Sequence, residues 1–389
     1  MNISEFCKIY TGTGFPMDFQ GKKNGKYPFY KVSDISVSNT QQKIFLGNAN
    51  NYIDELELSI LKGNIIPAGT IVFAKIGEAL KLNKRAITSC KCLIDNNVIG
   101  IKPDENIINL LYFYYYLLKI DMLYYSESTT LPSVRKSTIE KIKVKIPPIN
   151  VQNKRVTILN LCHKTIKYKM ELLHNLELLV KSRFVELFGD IELNEKKWKK
   201  IKFDELIKSA NNGLARRGNN KDGNIVLRLI ELQENSINYS SPNRIFLTDD
   251  EKKRYRLLDG DLLFARVNGN PNNVGRCAPF YECEEQVYHN DHIIRTSCDK
   301  SQLDSVFAAY LFNSEYGKNR ISKKIKTSAG QYTINQEGLK SIEIILPPIV
   351  IQYSFAKFVK QINKLKSDVQ KSIDETQLLM DSLMQEYFG

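Results

Sequence analysis

Apolar residues recur every seven positions along two long stretches of this 389-residue chain. In the first stretch they are Leu159, Ile166, Leu173, Val180 and Leu187. In the second they are Phe355, Ile362, Val369, Thr376 and Leu383. A narrow stripe at this period is typical of a helix that packs lengthwise on another helix. The pattern therefore predicts two long helices, each of about 39 residues and roughly 58 Å, that pack on each other in antiparallel fashion.

The two helical stretches are copies of one another. Pro147-Pro148-Ile149 recurs as Pro347-Pro348-Ile349, and Phe188-Gly189 recurs as Phe388-Gly389, in both cases 200 residues later. Eleven of the 43 aligned residues are identical, where composition alone would give roughly two or three. The other identical pairs are Gln152/Gln352, Lys164/Lys364, Leu178/Leu378, Leu179/Leu379, Ser182/Ser382 and Glu186/Glu386. Duplication of a half-chain is the simplest explanation.

The segment before each helix mixes strand-like runs with turns, and the landmarks again occur twice. The apolar run 71–74 has its counterpart in 262–265, and the alternating run before the first Pro-Pro has its counterpart before the second. These patterns predict an α+β chain with pseudo-two-fold symmetry, nearly circular, with its two ends close together. Its four segments are a globular domain at 1–146, a helix at 147–189, a second globular domain at 190–346 and a second helix at 347–389.

The net charge indicates the class of binding partner, whereas the overall composition does not. The net charge is +13 and the sequence pI is about 9.2, which favours a polyanionic partner, with nucleic acid preferred over a membrane surface. The apolar run Leu110–Leu118 is too short to span a bilayer and is typical of a buried helix. Seven cysteines at irregular spacing fit a reduced cytoplasm better than a disulfide framework.

Catalytic motifs are not evident in the sequence. His289 and His292 flank a short loop without an obvious third metal ligand, and Cys90-x-Cys92 is too closely spaced for a zinc pair. Asn270-Pro271-Asn272-Asn273 has the wrong third and fourth residues for an adenine methyltransferase motif. A phosphate-binding glycine loop after a strand is also lacking. Together with the duplicated scaffold, these observations favour a binding protein that holds no cofactor and no metal.

The order of the parts resembles the specificity subunit of type I restriction–modification systems. The resemblance rests on the repeated Pro-Pro-Ile-x-x-x-Gln opening and the long helix that closes on Phe-Gly. The runs Gly69–Lys75 and Gly260–Arg266 resemble that family's core strand, and Thr333–Leu339 resembles the run that follows it. In a commonly seen layout a longer lead precedes the first core, whereas here only Met1-Asn2 does so.

The resemblance implies two target-recognition domains, each of which recognises one half of a split double-stranded DNA sequence. The helices would set the gap between the half-sites and dock two methyltransferase (modification) subunits. Motor-nuclease (restriction) subunits could join them. The methyl donor and any nucleotide would then belong to those partners, and this chain would be a non-catalytic subunit.

Polar and basic residues after the core strands are the candidate DNA contacts. Asn suits adenine and Arg suits guanine by paired hydrogen bonds, whereas Lys and Arg also hold phosphates. The first domain offers Lys75, Lys81, Lys84 and Arg85. The second offers Arg266, Asn268, Asn270, Asn272, Asn273, Arg276, Gln331 and Tyr332, together with Arg216 and Arg217 as a phosphate clamp whose rough counterpart is Lys22 and Lys23. The asparagine run is equally typical of a simple turn.

Two other function classes stay open at this point. One is a stand-alone nucleic-acid-modifying enzyme, a methyltransferase or nuclease with an unrecognised site. The other is a purely structural coiled-coil scaffold, which the differing basic loops of the two halves make less attractive.

Overall fold

The computed structural model describes residues 1–127, 131–328 and 330–389, and at Ser328 it describes the backbone alone. The chain divides into two compact units. Unit 1 comprises Met1–Leu172 and Val369–Gly389, and unit 2 comprises Leu173–Asp368. Each unit therefore contains a globular part and one stretch of each long helix.

Unit 1 is built on a four-stranded antiparallel sheet of order β1-β7-β4-β5 and a three-stranded sheet of order β3-β2-β6. Its strands are β1 (Cys7–Thr11), β2 (Tyr27–Tyr30), β3 (Asn51–Ile53), β4 (Ile71–Ala74), β5 (Arg85–Ile87), β6 (Leu93–Ile94) and β7 (Val98–Pro103). Its helices are α1 (Ile3–Phe6), α2 (Val32–Thr40), α3 (Glu55–Leu61), α4 (Glu78–Lys81), α5 (Leu110–Lys119), α6 (Lys136–Glu140) and the first part of α7 (Ile149–Phe188).

Unit 2 contains the remaining strands and helices. The strands are β8 (Lys199–Lys202), β9 (Ile207–Asn212), β10 (Asn224–Leu227), β11 (Leu232–Gln233), β12 (Ser236–Ile237), β13 (Arg244–Ile245), β14 (Leu262–Ala265), β15 (Val267–Asn268), β16 (Cys277–Pro279), β17 (Val287–His289), β18 (Ile293–Cys298), β19 (Lys326–Ser328), β20 (Gln331–Thr333) and β21 (Glu343–Leu346). The helices are α8 (Asp249–Tyr255), α9 (Ser305–Asn313), α10 (Glu315–Ser322), α11 (Gln336–Lys340) and α12 (Ile349–Phe388), whose last part belongs to unit 1.

The two units share one sheet topology. The order β16-β14-β18-β9 in unit 2 matches β5-β4-β7-β1 in unit 1, and β13-β10-β17 matches β3-β2-β6. In both three-stranded sheets the central strand has one antiparallel and one parallel neighbour. The duplication seen in the helices therefore extends through both globular parts.

One glycine in each unit shows how closely the frame is repeated. Gly12 directly follows β1, and Gly213 directly follows β9. At both points the backbone passes close to a carbonyl group of another segment. A Cβ atom would lie 1.9 Å from the Asp95 oxygen in the first case and 2.0 Å from the His289 oxygen in the second. Only glycine fits there, since real Cβ atoms do not approach so closely.

The long helices α7 and α12 pack on each other in antiparallel fashion within each unit. In unit 2, Phe184 and Phe188 near the end of α7 contact Phe355 near the start of α12, with ring centroids 5.3 and 5.6 Å apart. In unit 1, Arg155 near the start of α7 donates a 2.9 Å hydrogen bond to the Tyr387 carbonyl near the end of α12. The helices and their antiparallel packing are confirmed, and with them the α+β class.

Two lysines interrupt the apolar stripes of the long helices and are accommodated by polar contacts. Lys169 in unit 1 donates through Nζ to the Ser372 carbonyl, the Ser372 hydroxyl and the Thr376 hydroxyl, at 2.7 to 3.0 Å. Lys366 in unit 2 forms a 2.9 Å ion pair with Glu177. Polar residues inside such a stripe limit the register in which two helices can pack.

Residues directly next to α7 in the sequence define both ends of the helix. The helix begins directly after Pro147-Pro148, and it ends at Phe188, directly before Gly189, whose φ of +73° suits glycine. The indole of Trp198 donates to the Phe188 carbonyl, and Lys196 donates to the Glu186 and Leu187 carbonyls. These bonds satisfy carbonyls that a helix end leaves without partners.

Helix α5 contains the apolar run that was predicted to be buried, and five of its ten residues are buried. Asn109 caps its first turn by accepting from two backbone N–H groups. Among the described helices, none is both long enough and apolar enough to cross a membrane. Met1 pairs with Val144, and Phe388 packs on Tyr112, so both chain ends lie in unit 1.

Candidate nucleic-acid interface

The chain leaves the central sheet at equivalent points in the two units. The strands β4 and β14 are completely buried, and Lys75 and Arg266 follow them directly. The N–H of Lys75 donates to the Asn97 carbonyl, and its own carbonyl accepts from Val134. Arg266 forms the equivalent pair of bonds: its N–H donates to the His292 carbonyl, and its carbonyl accepts from the Ile334 N–H. The prediction that Lys75 and Arg266 occupy the same place is confirmed by this geometry.

After Arg266, unit 2 forms a small three-stranded sheet of order β15-β20-β19. Asn268 pairs with Tyr332, and Tyr332 pairs on its other side with Thr327. Gln331 is exposed at the end of β20. The fold therefore brings together Arg266, Asn268, Gln331 and Tyr332, although more than sixty residues separate the first two from the last two.

Arg217 approaches the same place from another loop. Its Nη1 donates to Oδ1 of Asp291 at 2.7 Å, and its Nη2 donates to Nε2 of His292 at 3.0 Å. Nη1 of Arg266 donates to the Asp291 carbonyl at 3.0 Å. We call the set Arg217, Arg266, Asn268, Gln331 and Tyr332 the polar edge of unit 2. Partial burial lowers the pKa of His292 below its usual value, so at neutral pH its ring accepts the bond from Arg217.

Unit 1 has a simpler polar edge at the equivalent point, formed by Lys75, Lys81 and Lys84. Instead of a sheet, a single bridge joins Ile76 to Ser133 in the described part of this region. Lys75 and Lys84 are half-exposed, and Lys81 is exposed and forms a 2.7 Å ion pair with Glu78. The two edges therefore stand on the same frame and carry different side chains.

The asparagine run of unit 2 is largely a turn. Oδ1 of Asn268 accepts from the Asn270 N–H at 2.9 Å, and Oδ1 of Asn270 accepts from the Asn272 N–H at 3.0 Å. Asn270 also caps the short 3₁₀ turn Pro271–Asn273. These oxygens already serve the backbone, which is the use typical of asparagine in turns. Asn272 is exposed and Asn273 is half-exposed beside them.

Arg216 is held at the surface of unit 2 by contacts within the unit. Its Nε and Nη2 donate to the two carboxylate oxygens of Glu251 at 2.8 and 2.7 Å, and Nη2 also donates to the Phe246 carbonyl. The bonds from Arg216 lower the pKa of Glu251 to about 2. Glu251 closes the capping box of α8 through Thr248. Of the two arginines predicted as a clamp, Arg217 is therefore the one at the polar edge.

Lys22 and Lys23, the predicted counterparts of Arg216 and Arg217, have similar contacts in unit 1. Lys22 contacts Asp54 and Glu57 at 2.6 and 3.0 Å, and these two residues form the capping box of α3. Lys23 donates to the Asn50 carbonyl. In both units a basic residue is thus held at the N-terminus of a short helix, where the carboxylates gather.

The prediction that Arg85 contacts DNA is wrong. Its side chain is 1% exposed, stacks on Phe73 and donates to the Leu117 and Ile120 carbonyls. Burial lowers its pKa to about 9. The cause is its place on β5 directly opposite Phe73 of β4, which points the guanidinium into the domain. The guanidinium stabilises the end of α5 from within.

Arg276 is similarly engaged inside unit 2. It donates to the Leu229 carbonyl at 2.9 Å, and its Nε is buried. Burial lowers its pKa below the usual value. We therefore leave Arg276 out of the polar edge.

A family model for the type I restriction modification DNA specificity domain matches the chain twice, over residues 1–178 and 195–376. This chain belongs to that family. The two matches correspond to the two copies recognised in the sequence, and they cover the region of both polar edges. The family model therefore covers nearly the whole chain.

Characterised relatives are type I restriction enzyme specificity subunits. The StySPI subunit of Salmonella potsdam is 30% identical over 189 residues, 48% of this chain and 41% of the relative. The EcoKI subunit of Escherichia coli K12 is 26% identical, over 53% of this chain and 45% of the relative. The match therefore spans less than half the length of these two relatives. The MjaVIII subunit of Methanocaldococcus jannaschii is 21% identical over 94% of this chain and 86% of its own length.

Solved structures share the fold of this specificity-domain protein. The type I S subunit from M. genitalium matches with a TM-score of 0.58 at 12% identity, covering 100% of this chain and 95% of that one. A second solved chain matches with a TM-score of 0.57 at 14% identity, covering 100% of this chain and 96% of that one. Its title describes complex assembly and conformational transition of the type I R-M system. At these identities the likeness concerns the fold alone.

One of the two histidines considered as metal ligands has a structural setting in this specificity-domain chain. His289 is completely buried, and its Nδ1 lies 3.0 Å from the Tyr255 carbonyl. Burial lowers its pKa to about 4, so the ring is neutral at physiological pH. Across the described residues, no group of three or more His, Cys, Asp and Glu side chains is arranged to hold a metal ion.

Proposed function

We propose that this chain is the DNA specificity subunit of a type I restriction–modification complex. Its domains at 1–146 and 190–346 each recognise one half of a bipartite double-stranded DNA target. The segments 147–189 and 347–389 set the gap between the half-sites and dock two methyltransferase subunits. Restriction subunits with motor and nuclease activity join the same complex.

One observation carries this proposal: two copies of the same sheet end in two different polar edges. Lys75 and Arg266 form equivalent backbone hydrogen bonds, yet a three-stranded sheet follows only Arg266 in the described part of the chain. A repeated frame with unlike edges suits a protein that recognises two different short sequences. Loops on a constant scaffold are where recognition residues commonly lie.

In the second half-site, the polar edge of unit 2 supplies the contacts. Arg266 and Arg217 are already aligned by Asp291, and an arginine fixed in this way presents its remaining donors to guanine or phosphate. Asn268, Gln331 and Tyr332 lie beside them, with Asn272 and Asn273 at the adjacent turn. In the first half-site, Lys75, Lys81 and Lys84 supply contacts, chiefly to phosphates.

The chemistry of methylation and cleavage is assigned to the partner subunits. Under this proposal the methyl donor and any nucleotide bind to the partners. The chain would act by selecting and holding the DNA.

The test is a comparison of methylated sites in cells that contain this chain and its methyltransferase partner. Arg266→Ala should alter or weaken recognition of one half-site and leave the bases of the other unchanged. Lys75→Ala is the matched variant, and it should affect the opposite half-site.

Binding of the isolated chain to duplex DNA should also fall steeply as salt concentration rises. Equal loss at both half-sites in a folded Arg266→Ala protein would contradict the proposal. So would methyl transfer or DNA cleavage by the isolated chain, because either activity would identify a stand-alone enzyme.

A further inference from the structure

A pocket of about 190 Å³ adjoins the polar edge of unit 2. Its walls include Val226 of β10, Asn243 next to β13 and Asn290 after β17, together with Arg217 and Arg228. We call it the amide pocket, after its two asparagines. Arg217 is also part of the polar edge, so the two features are neighbours. Since an apolar cavity of about 150 Å³ accommodates benzene, the amide pocket has room for one planar ring.

The two asparagines of the amide pocket are buried, yet their hydrogen-bonding groups are largely unused. Asn243 and Asn290 are 8% and 5% exposed. Oδ1 of Asn290 accepts from the His292 N–H at 3.2 Å. Within the described part of the chain, the Asn243 amide and Nδ2 of Asn290 form no hydrogen bond, and both side chains line the pocket. Buried polar groups are almost always paired, so these amides indicate a ligand that binds from outside.

Unit 1 contains the same buried asparagine, with a partner supplied by the chain itself. Phe29 of β2 lies opposite Asn51 of β3. In the matching sheet of unit 2, Val226 has the place of Phe29, and its N–H donates to the Asn243 carbonyl. Asn243 therefore corresponds to Asn51. Asn51 is 7% exposed, and its Oδ1 accepts from the Gly21 N–H at 2.8 Å. Among the described residues, this loop bond has no equivalent at Asn243.

Unit 1 also fills the corresponding space with an aromatic ring of its own. Phe15 stacks on Phe29, with ring centroids 3.8 Å apart and the ring planes at 13°. Nζ of Lys31 lies 5.5 Å from the centroid of the Phe15 ring. The first copy therefore places a planar ring against β2 and beside a cation. Arg228 is the equivalent cation in unit 2, because it lies two residues beyond the matched strand position, as Lys31 does.

In unit 2 the equivalent residues leave this space open. Arg216 corresponds to Phe15, because each lies three residues after the glycine that is repeated in both units. The Arg216 guanidinium pairs with Glu251 at 2.7 Å. The aliphatic Val226 stands where unit 1 has the second ring of the stack. The amide pocket is therefore the space that a planar ring occupies in unit 1.

The charges around the amide pocket do not favour a simple anion. Arg217 pairs with Asp291 at 2.7 Å, and Arg228 pairs with Glu231 at 2.6 Å. Each guanidinium is thus already compensated by a carboxylate. Neutral amides instead suit a neutral ligand that has a hydrogen-bond donor and an acceptor side by side. A nucleobase has such an edge on a planar ring, and the pairing of asparagine with adenine is the familiar example.

We propose that the amide pocket binds a nucleobase, with its edge toward Asn243 and Asn290 and its face against Val226. Two sources have this chemistry. One is a base that leaves the DNA stack next to the second half-site, and this source rests on the proposed function. The other is a free nucleoside, which does not depend on it.

The experiment titrates the full chain with adenosine and measures saturation transfer from the protein to the adenosine ring protons by NMR. The wild-type chain should bind adenosine and should not bind ribose, which lacks the ring. Asn243→Leu keeps the approximate volume and removes the amide, so binding should weaken by about 10-fold or more. Val226→Phe places in the pocket the residue found in unit 1, and it should abolish binding.

Two controls separate loss of the site from loss of the fold. Asn319→Leu makes the same change at an exposed asparagine of α10, and it should bind adenosine as the wild type does. Circular dichroism and thermal unfolding of each variant report on the fold. Asn243→Leu and Val226→Phe are made separately, so that either folded variant decides the result.

The outcomes separate the pocket from the proposed function. Adenosine that does not bind the wild-type chain at millimolar concentration, or that binds the folded variants as tightly as the wild type, would overturn the nucleobase assignment. Excess duplex DNA that carries the target methylated in cells is then added at low salt. Displacement of adenosine assigns the pocket to a DNA base, and retention of adenosine on the DNA-bound chain assigns it to a free nucleoside. A duplex that does not bind would refute the proposed function and leave nucleobase binding standing.

Discussion

A completely buried glutamine fixes the start of each long helix against its domain. In unit 2, Oε1 of Gln352 accepts from the Asp304 N–H at 2.9 Å, and Nε2 donates to the Gln302 and Pro347 carbonyls at 3.0 and 2.7 Å. Asp304 is the residue that caps α9. Gln352 therefore joins the first turn of α12 to the first turn of α9.

Replacing Gln352 by leucine keeps the approximate side-chain volume and removes all three bonds. The loss leaves one N–H and two carbonyls without this partner, in a buried place at Pro347 and a partly buried place at Asp304 and Gln302. A buried group left unpaired costs about 1–3 kcal/mol. Part of that loss is relieved by relaxation, so we expect unit 2 to lose about 3–5 kcal/mol. For a unit of this size, such a change lowers the unfolding temperature by roughly 6–20 °C.

Hydrogen exchange measured by mass spectrometry provides the local assay. The peptide that contains Asp304 and the first turn of α9 should exchange much faster in Gln352→Leu than in the wild-type protein. Gln361→Leu is the control, because Gln361 is exposed on the same helix. Unchanged exchange around Asp304, with an unfolding temperature within about 2 °C of the wild type, would refute the reasoning.

Three further predictions concern groups outside the polar edges. Arg85→Met should destabilise unit 1 by about 3 kcal/mol or more, because two carbonyls at the end of α5 lose their donor, and calorimetry of the folded chain checks this. Lys169→Ala should destabilise unit 1 by about 1–2 kcal/mol, measured by urea unfolding, with the exposed Lys164→Ala as the neutral control. Unit 2 should lose stability as the pH falls from about 6.5 to 4, because the buried His289 has a folded-state pKa of about 4, below its ordinary value of 6.5. The unfolded chain takes up the proton first in that range, and a His289→Asn protein should show a flatter pH dependence in the same unfolding assay.

The long helices could be predicted from sequence because the signals for them are local and repeated. The Pro-Pro start, the seven-residue stripe and the Phe-Gly end each depend on neighbours within a few turns. Antiparallel packing also follows from the repeat. The polar insertions Lys169 and Lys366 interrupt the stripe, but their partners Ser372 and Glu177 lie 203 and 189 residues away and could not be found from the stripe.

The polar edge of unit 2 was only partly predictable for the same reason. Arg266 and Asn268 stand beside a recognisable strand, whereas their neighbours on β19 and β20 depend on pairing between distant segments. The burial of Arg85 has a different cause. A basic residue after Lys84 resembles a surface position, and only the register that places Arg85 opposite Phe73 shows that it points inward.

Separate cores imply that the two edges can change independently. Each unit has its own central sheet, and the units share their sheet order without sharing their edge residues. Perturbations at sites without common partners usually have additive effects. A substitution at Lys75 and one at Arg266 should therefore contribute separately to the free energy of DNA binding. Such independence is what allows one duplicated frame to present two unrelated recognition surfaces, and it requires the frame itself, including Gly12 and Gly213, to change little.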